Sequence, residues 1–164
     1  METIASNLVP TIATEIIQRA TLLAASLMRS SRNHPPGMVQ VQQSLALLDL
    51  EAKLKCWRTL VDALDHQSLP LPVKISLNWF TASIKDVEES LQLLKNAVEF
   101  HQAKYFPSWR SCDFSEPLRI LETHVKILAE RETTLLQMIA IDFEKLKNEN
   151  LTSDSSSLVT DSLP

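Results

Sequence analysis

The stretch VKISLNWFTASIKDVEESLQLLKNAV, residues 73–98, decides how the rest of the chain is read. Its apolar residues Val73, Leu77, Phe80, Ile84, Val87, Leu91, Leu94 and Val98 alternate steps of four and three without a miss. Such steps return a side chain to the same side of an α-helix, so the run is a heptad seam nearly four heptads long. No glycine or proline interrupts it. It predicts one long helix from about Val73 to Lys104.

Working outward, prolines mark the ends of the other segments. The run QSLPLP (67–72) is an extended break, because a residue before proline is pushed off the helical region. Upstream of it, Leu47, Leu50, Leu54, Trp57, Val61 and Leu64 form a second seam on a helix predicted over about 38–66. NHPPG (33–37) separates that helix from a first one over about 11–31. The first helix has a weaker stripe, Ile12, Ile16, Leu23 and Leu27, and Pro10 stands where a first turn tolerates proline. Downstream, a fourth helix over about 115–149 carries Leu118, Leu121, Val125, Leu128, Leu135, Ile139 and Leu146. Asp113 or Ser115 can cap it, and Pro117 falls in its first turn. Glu132 and Asp142 occupy two of its seam positions. The expected fold is all-α: an antiparallel four-helix bundle of long, coiled-coil-like helices over residues 1–150. Residues 151–164, LTSDSSSLVTDSLP, read as a disordered serine-rich tail.

Composition agrees. The chain has 164 residues and one glycine, Gly37. Hairpins, dinucleotide-binding turns and phosphate-cradling loops all need glycine at positive φ or at close backbone approach, so those classes are disfavoured. The formal charge is −4 and Lys and Arg are scattered among acids, which argues against direct nucleic-acid binding. The apolar stretch from Ile12 to Met28 is broken by Glu15 and Arg19 and is too mixed to cross a membrane. No secretory signal is read at the N-terminus, so a nuclear or cytoplasmic protein is expected. Cys56 and Cys112 form no CxxC pair, and the four histidines show no zinc spacing. His101, Cys112 and His124 could converge near the last turn, but a nucleophilic cysteine there would need oxyanion donors that this glycine-poor chain does not offer. No catalytic, cofactor or metal residue is assigned, and no small-molecule substrate is expected.

A self-contained bundle needs one apolar stripe per helix. The 73–104 helix has more. Ile75, Trp79, Leu93 and Phe100 lie off the seam and, at 100° per residue, point away from it. Ile120, Ile127, Met138 and Ile141 lie beside the stripe of the fourth helix. These residues either meet further intramolecular core or form a protein-binding face, with Ile75, Trp79, Leu93 and Phe100 as the partner-binding candidates.

The chain places Tyr105, Phe106, Trp109 and Phe114 within ten positions. Phe106, Trp109 and Phe114 are expected to fold back as an aromatic cap over the bundle end. The pattern Phe106-x-x-Trp109-x4-Phe114-x-Glu116, followed by Leu121, Val125, Thr134-Leu135 and Ile139-Ala140, resembles the C-terminal region of the cyclin-dependent-kinase-interacting protein family known as CINP. The likeness covers about residues 105–145; Pro117 and Val125 depart from the family pattern. The resemblance implies a non-enzymatic helical adaptor in a hetero-oligomeric nuclear assembly. The family's partners are cell-cycle kinases, replication factors, or AAA-type ATPases of ribosome maturation. The seams alone fit an alternative equally: a small subunit of a cytoskeletal, kinetochore or vesicle-tethering coiled-coil complex.

Overall fold

The seam of residues 73–98 is buried along its whole length. In the computed structural model, which describes residues 8–29, 36–64, 69–103 and 113–156, every regular element is helical. The helices are α1 (Leu8–Arg29), α2 (Pro36–Leu47), α3 (Leu50–Ala63), α4 (Leu71–Gln102) and α5 (Ser115–Ser156). There is no strand among the described residues. All eight seam residues of α4 are in the core, and Phe80 meets the ring of Trp57 edge to face at 6.3 Å. Pro72 sits in the first turn of α4, where its missing N–H removes no intrahelical bond.

Helix α1 buries a wider stripe than the one expected, with Ile16 and Leu27 in the core as expected and three alanines added to them. Ala13, Ile16, Ile17, Ala20, Ala24 and Leu27 are buried, while Ile12 is exposed and Leu23 only partly covered. The reason lies in its neighbours: α1 packs against both α3 and α4. Alanines let helix axes approach closely, and the larger side chains of the partners fill the space. Thr14 donates to Asp62 of α3 at 3.2 Å, and Arg19 makes two bonds to the Glu88 carboxylate of α4, at 2.6 and 3.3 Å.

The single helix expected over 38–66 is two helices. Asp49 adopts φ 47°, ψ 41°, the left-handed region, and ends α2. Aspartate is one of the few non-glycine residues that visit this region readily. The Asp49 N–H donates to the Ala46 carbonyl at 3.1 Å, and its own carbonyl accepts from Lys53 at 3.1 Å, starting α3. The break also rotates the seam. Leu50, Leu54, Trp57 and Val61 are buried as expected, but Leu47 is 86% exposed, and α2 buries the side chains of Met38, Val41 and Leu45 instead.

Helix α5 runs antiparallel to α4. His101 meets Phe114 at 5.4 Å between ring centroids, Ser90 lies 2.6 Å from His124, and Arg131 lies over Trp79, so the register advances along one helix as it retreats along the other. Ser76, Ser83, Ser90 and Ala97, seven apart, give α4 a small-residue line that is buried or half-buried. The start of α5 is capped by Asp113, whose carboxylate accepts from the Ser115 N–H at 2.9 Å. Helix α5 has 42 residues against 32 in α4, so in this register its last turns pass the beginning of α4. Leu118, Leu121, Val125, Leu128 and Leu135 are buried, Ile139 is partly covered, and Leu146, expected in the seam, is exposed. The helix also continues to Ser156, into the stretch read as a disordered tail. No glycine or proline stands between Pro117 and Pro164 to stop it, and extending an existing helix requires no new nucleus. The remainder of that stretch, 157–164, lies outside the described residues.

Candidate protein-interaction face

Two apolar stripes meet on the outside of the α4–α5 pair. On α4, Ile75, Trp79, Leu93 and Phe100 are all exposed, Trp79 to 50% and Leu93 to 56%. Trp79, Asp86, Leu93 and Phe100 recur every seven residues, so they form one line along the helix. On α5, Ile127 and Ile141 are exposed, and Ile120 and Met138 are half-buried. Leu93 joins Ser90, Glu116, Pro117 and Ile120 around a depression of about 240 Å³ that belongs to both helices. Four turns away, the Arg131 guanidinium lies 5.3 Å from the centroid of the Trp79 ring. This cation–π contact holds the indole against α5 while leaving half of it accessible.

Between these two points a polar contact fixes the register. The Ser90 hydroxyl donates to the Asp86 carbonyl at 2.8 Å and lies 2.6 Å from His124 Nδ1; Nδ1 is also 3.2 Å from that carbonyl. The hydroxyl has one proton and gives it to the carbonyl. The proton shared with the ring is therefore on Nδ1, and His124 donates. Ser90 is buried mid-helix, with its neighbouring backbone N–H groups committed to the helix ladder. Such a serine has no oxyanion donors beside it and acts as a clamp between helices.

Two acidic residues beside the face are paired. Glu116 takes two bonds from Arg119, at 2.7 and 2.9 Å, which hold its carboxyl below the usual range. Glu89 faces Lys85 at 3.7 Å. Asp86 is different. Its carboxylate stands exposed in the middle of the α4 line and has no ion-pair partner among the described residues.

The expected aromatic cap is placed only in part. Phe114 is fully buried and touches the edge of His101; Phe106 and Trp109 lie outside the described residues. His101 and His124 do not converge. The first contacts Phe100 and Phe114, and the second sits at Ser90, about 16 Å back along α4. Cys112 lies outside the described residues, and no metal-holding group of three His, Cys, Asp or Glu occurs among the described ones. Sequence reasoning missed Asp86 and Arg131 as parts of the face. The sevenfold spacing 79, 86, 93, 100 was a legible signal for Asp86, but Arg131 could be placed only by the register between the two helices.

No described helix is long and apolar enough to cross a membrane. No protein-family model, curated protein or solved structure matches the chain.

Proposed function

We propose that this chain is a non-enzymatic helical adaptor that binds larger protein partners through the outer face of α4 and α5. The observation that supports this is a surplus. Helix α4 commits eight apolar residues to its own core and still displays Ile75, Trp79, Leu93 and Phe100 to solvent. Scattered exposed leucines are ordinary, but a line of large apolar side chains continued by a second helix is the usual mark of an interface. Tryptophan is the residue type most enriched among interface hot spots. In the proposed architecture α1, the bent α2–α3 unit, α4 and α5 make an antiparallel four-helix bundle, with the face on one of its sides. The resemblance to the CINP family points the same way: a nuclear or cytoplasmic subunit serving cell-cycle, replication or AAA-ATPase ribosome-maturation assemblies. The coiled-coil-subunit alternative draws less support, because the α4 seam that would pair with another chain is consumed within this one.

Affinity purification from native cells, with the intact chain and Trp79→Ala as parallel baits, tests this reading. A defined set of partners recovered by the intact chain and lost by the variant is expected. Identical partner sets from both baits would sink it.

A further inference from the structure

The midpoint of the α4 line carries a charge that has no ion-pair partner among the described residues. Asp86 is flanked by Trp79 seven residues before it and Leu93 seven residues after, each about 10.5 Å away along the axis. Both flanking positions are anchor sites: the Trp79 indole under Arg131, and the depression at Leu93, Pro117 and Ile120. A helix laid along this line would contact both and would cover Asp86 between them. Removing a carboxylate from water without a counter-charge is strongly unfavourable, so the covering surface must bring a cation to it. A second copy of this chain does not meet that need. A two-fold contact that set Trp79 against the other Leu93 would also set Asp86 against Asp86, like charge on like. An anionic membrane surface fits no better, since the line presents a carboxylate.

We propose that the α4–α5 face receives an amphipathic helix of a partner protein that carries a lysine or arginine on its apolar side, seven residues from a large apolar residue in each direction, with the cation set against Asp86. This rests on the interface reading above and adds the chemistry of the partner. Helices packed at a small crossing angle stay in contact for several turns, so the recognised element spans at least the four turns that separate Trp79 from Leu93. Asp86 then acts as a selector: it admits helices with a cation at the midpoint and rejects those that are apolar or acidic there.

A phage-displayed library of 22-residue helices randomised along one face tests the proposal. It is selected in parallel on the full chain and on Asp86→Lys, and clones are re-screened on Trp79→Ala, with circular dichroism confirming that each variant is folded. Clones from the full chain are expected to carry Lys or Arg flanked at seven residues by Leu, Phe, Trp or Met. They should bind Asp86→Lys about tenfold more weakly, and selection on Asp86→Lys should yield Asp or Glu at the same position. Clones that need Trp79 yet show no charge preference, or bind Asp86→Lys equally well, overturn the inference and leave the interface standing. Clones indifferent to Trp79→Ala overturn both.

Discussion

Trp79 and Phe80 are neighbours in the sequence and opposites in the fold. Phe80 has no exposed surface and packs on Trp57 at the centre of the core; Trp79 is half exposed on the far side of the same helix. Both belong to lines with helical period, and both lines hold large apolar residues. The difference is in completeness. The inner seam is filled at all eight positions, whereas the outer line is interrupted by the exposed carboxylate of Asp86. Apolar periodicity locates a helix and its sides. An unbroken seam marks the side that folds the chain, and a broken one marks a side left for solvent or for another protein.

The comparison breaks first at Phe80. Phe80→Ala removes a fully buried ring and its edge contact with Trp57, and should cost about 3–5 kcal/mol. Urea unfolding checks this; a loss under about 1 kcal/mol would mean that the seam is not the core. The next largest effect is expected on α1. Ala20 has no exposed surface where α1 is squeezed between α3 and α4. Ala20→Leu should overpack that contact and destabilise by about 1–3 kcal/mol in the same assay. An unchanged midpoint would show slack between the helices that the alanine stripe argues against.

These two sites also show how legibility varied along the chain. The α4 seam could be read residue by residue, because a complete heptad of large apolar side chains has no competing interpretation. The α1 stripe could be read only in part. Ile16 and Leu27 were legible, but Ala13, Ala20 and Ala24 complete the stripe, and alanine is common on buried and exposed helix faces alike. The outer stripes of α4 and α5 were legible as apolar residues off the seam, but their union into one face depends on register, which Ser90, His124 and Arg131 set. The α2–α3 break was hidden for a physical reason: Asp49 carries no glycine or proline signal, and the step of three from Leu47 to Leu50 continues the helical spacing across it.

Asp49 gives the third effect, smaller than the first two. Asp49→Ala keeps a Cβ in the left-handed region but loses the short polar side chain that tolerates it, and should cost up to about 1 kcal/mol. Asp49→Gly removes that steric conflict and should be tolerated better than the alanine variant. Thermal melts of the two decide it. If alanine is harmless, α2 and α3 can join into one straight helix, and the exposure of Leu47 is not imposed by the break.

Trp79→Ala sharpens the comparison from the other side. Little of the fold rests on this indole beyond the Arg131 contact, so its loss should shift stability by no more than about 0.5 kcal/mol. That is several-fold less than the loss expected at Phe80, one residue away. A change comparable to that of Phe80→Ala would place Trp79 in the core and remove the basis for a binding role.

The smallest effect is local and pH-dependent. Hydrogen bonds from the Ser115 hydroxyl and backbone N–H hold the Asp113 carboxyl below its usual range, and Glu116 is lowered by its bonds to Arg119. A carboxyl whose folded value is depressed contributes stability above its unfolded value and loses it as pH falls through the folded one. Acidification from the ordinary carboxylate range downward should therefore fray the first turn of α5, whose orphan N–H groups and positive dipole end favour an ionised Asp113. Amide exchange at Ser115 and Leu118, whose N–H groups are bonded to Asp113 and Phe114, should accelerate, while the seam residues of α4, none of them titratable, keep their protection. The Leu93–Ile120 depression is bounded by that same first turn, so it should loosen before the core does. Exchange that rises together on both sides of α4 would instead mean that the outer face and the inner seam unfold as one unit, and the distinction between them would then be one of exposure alone.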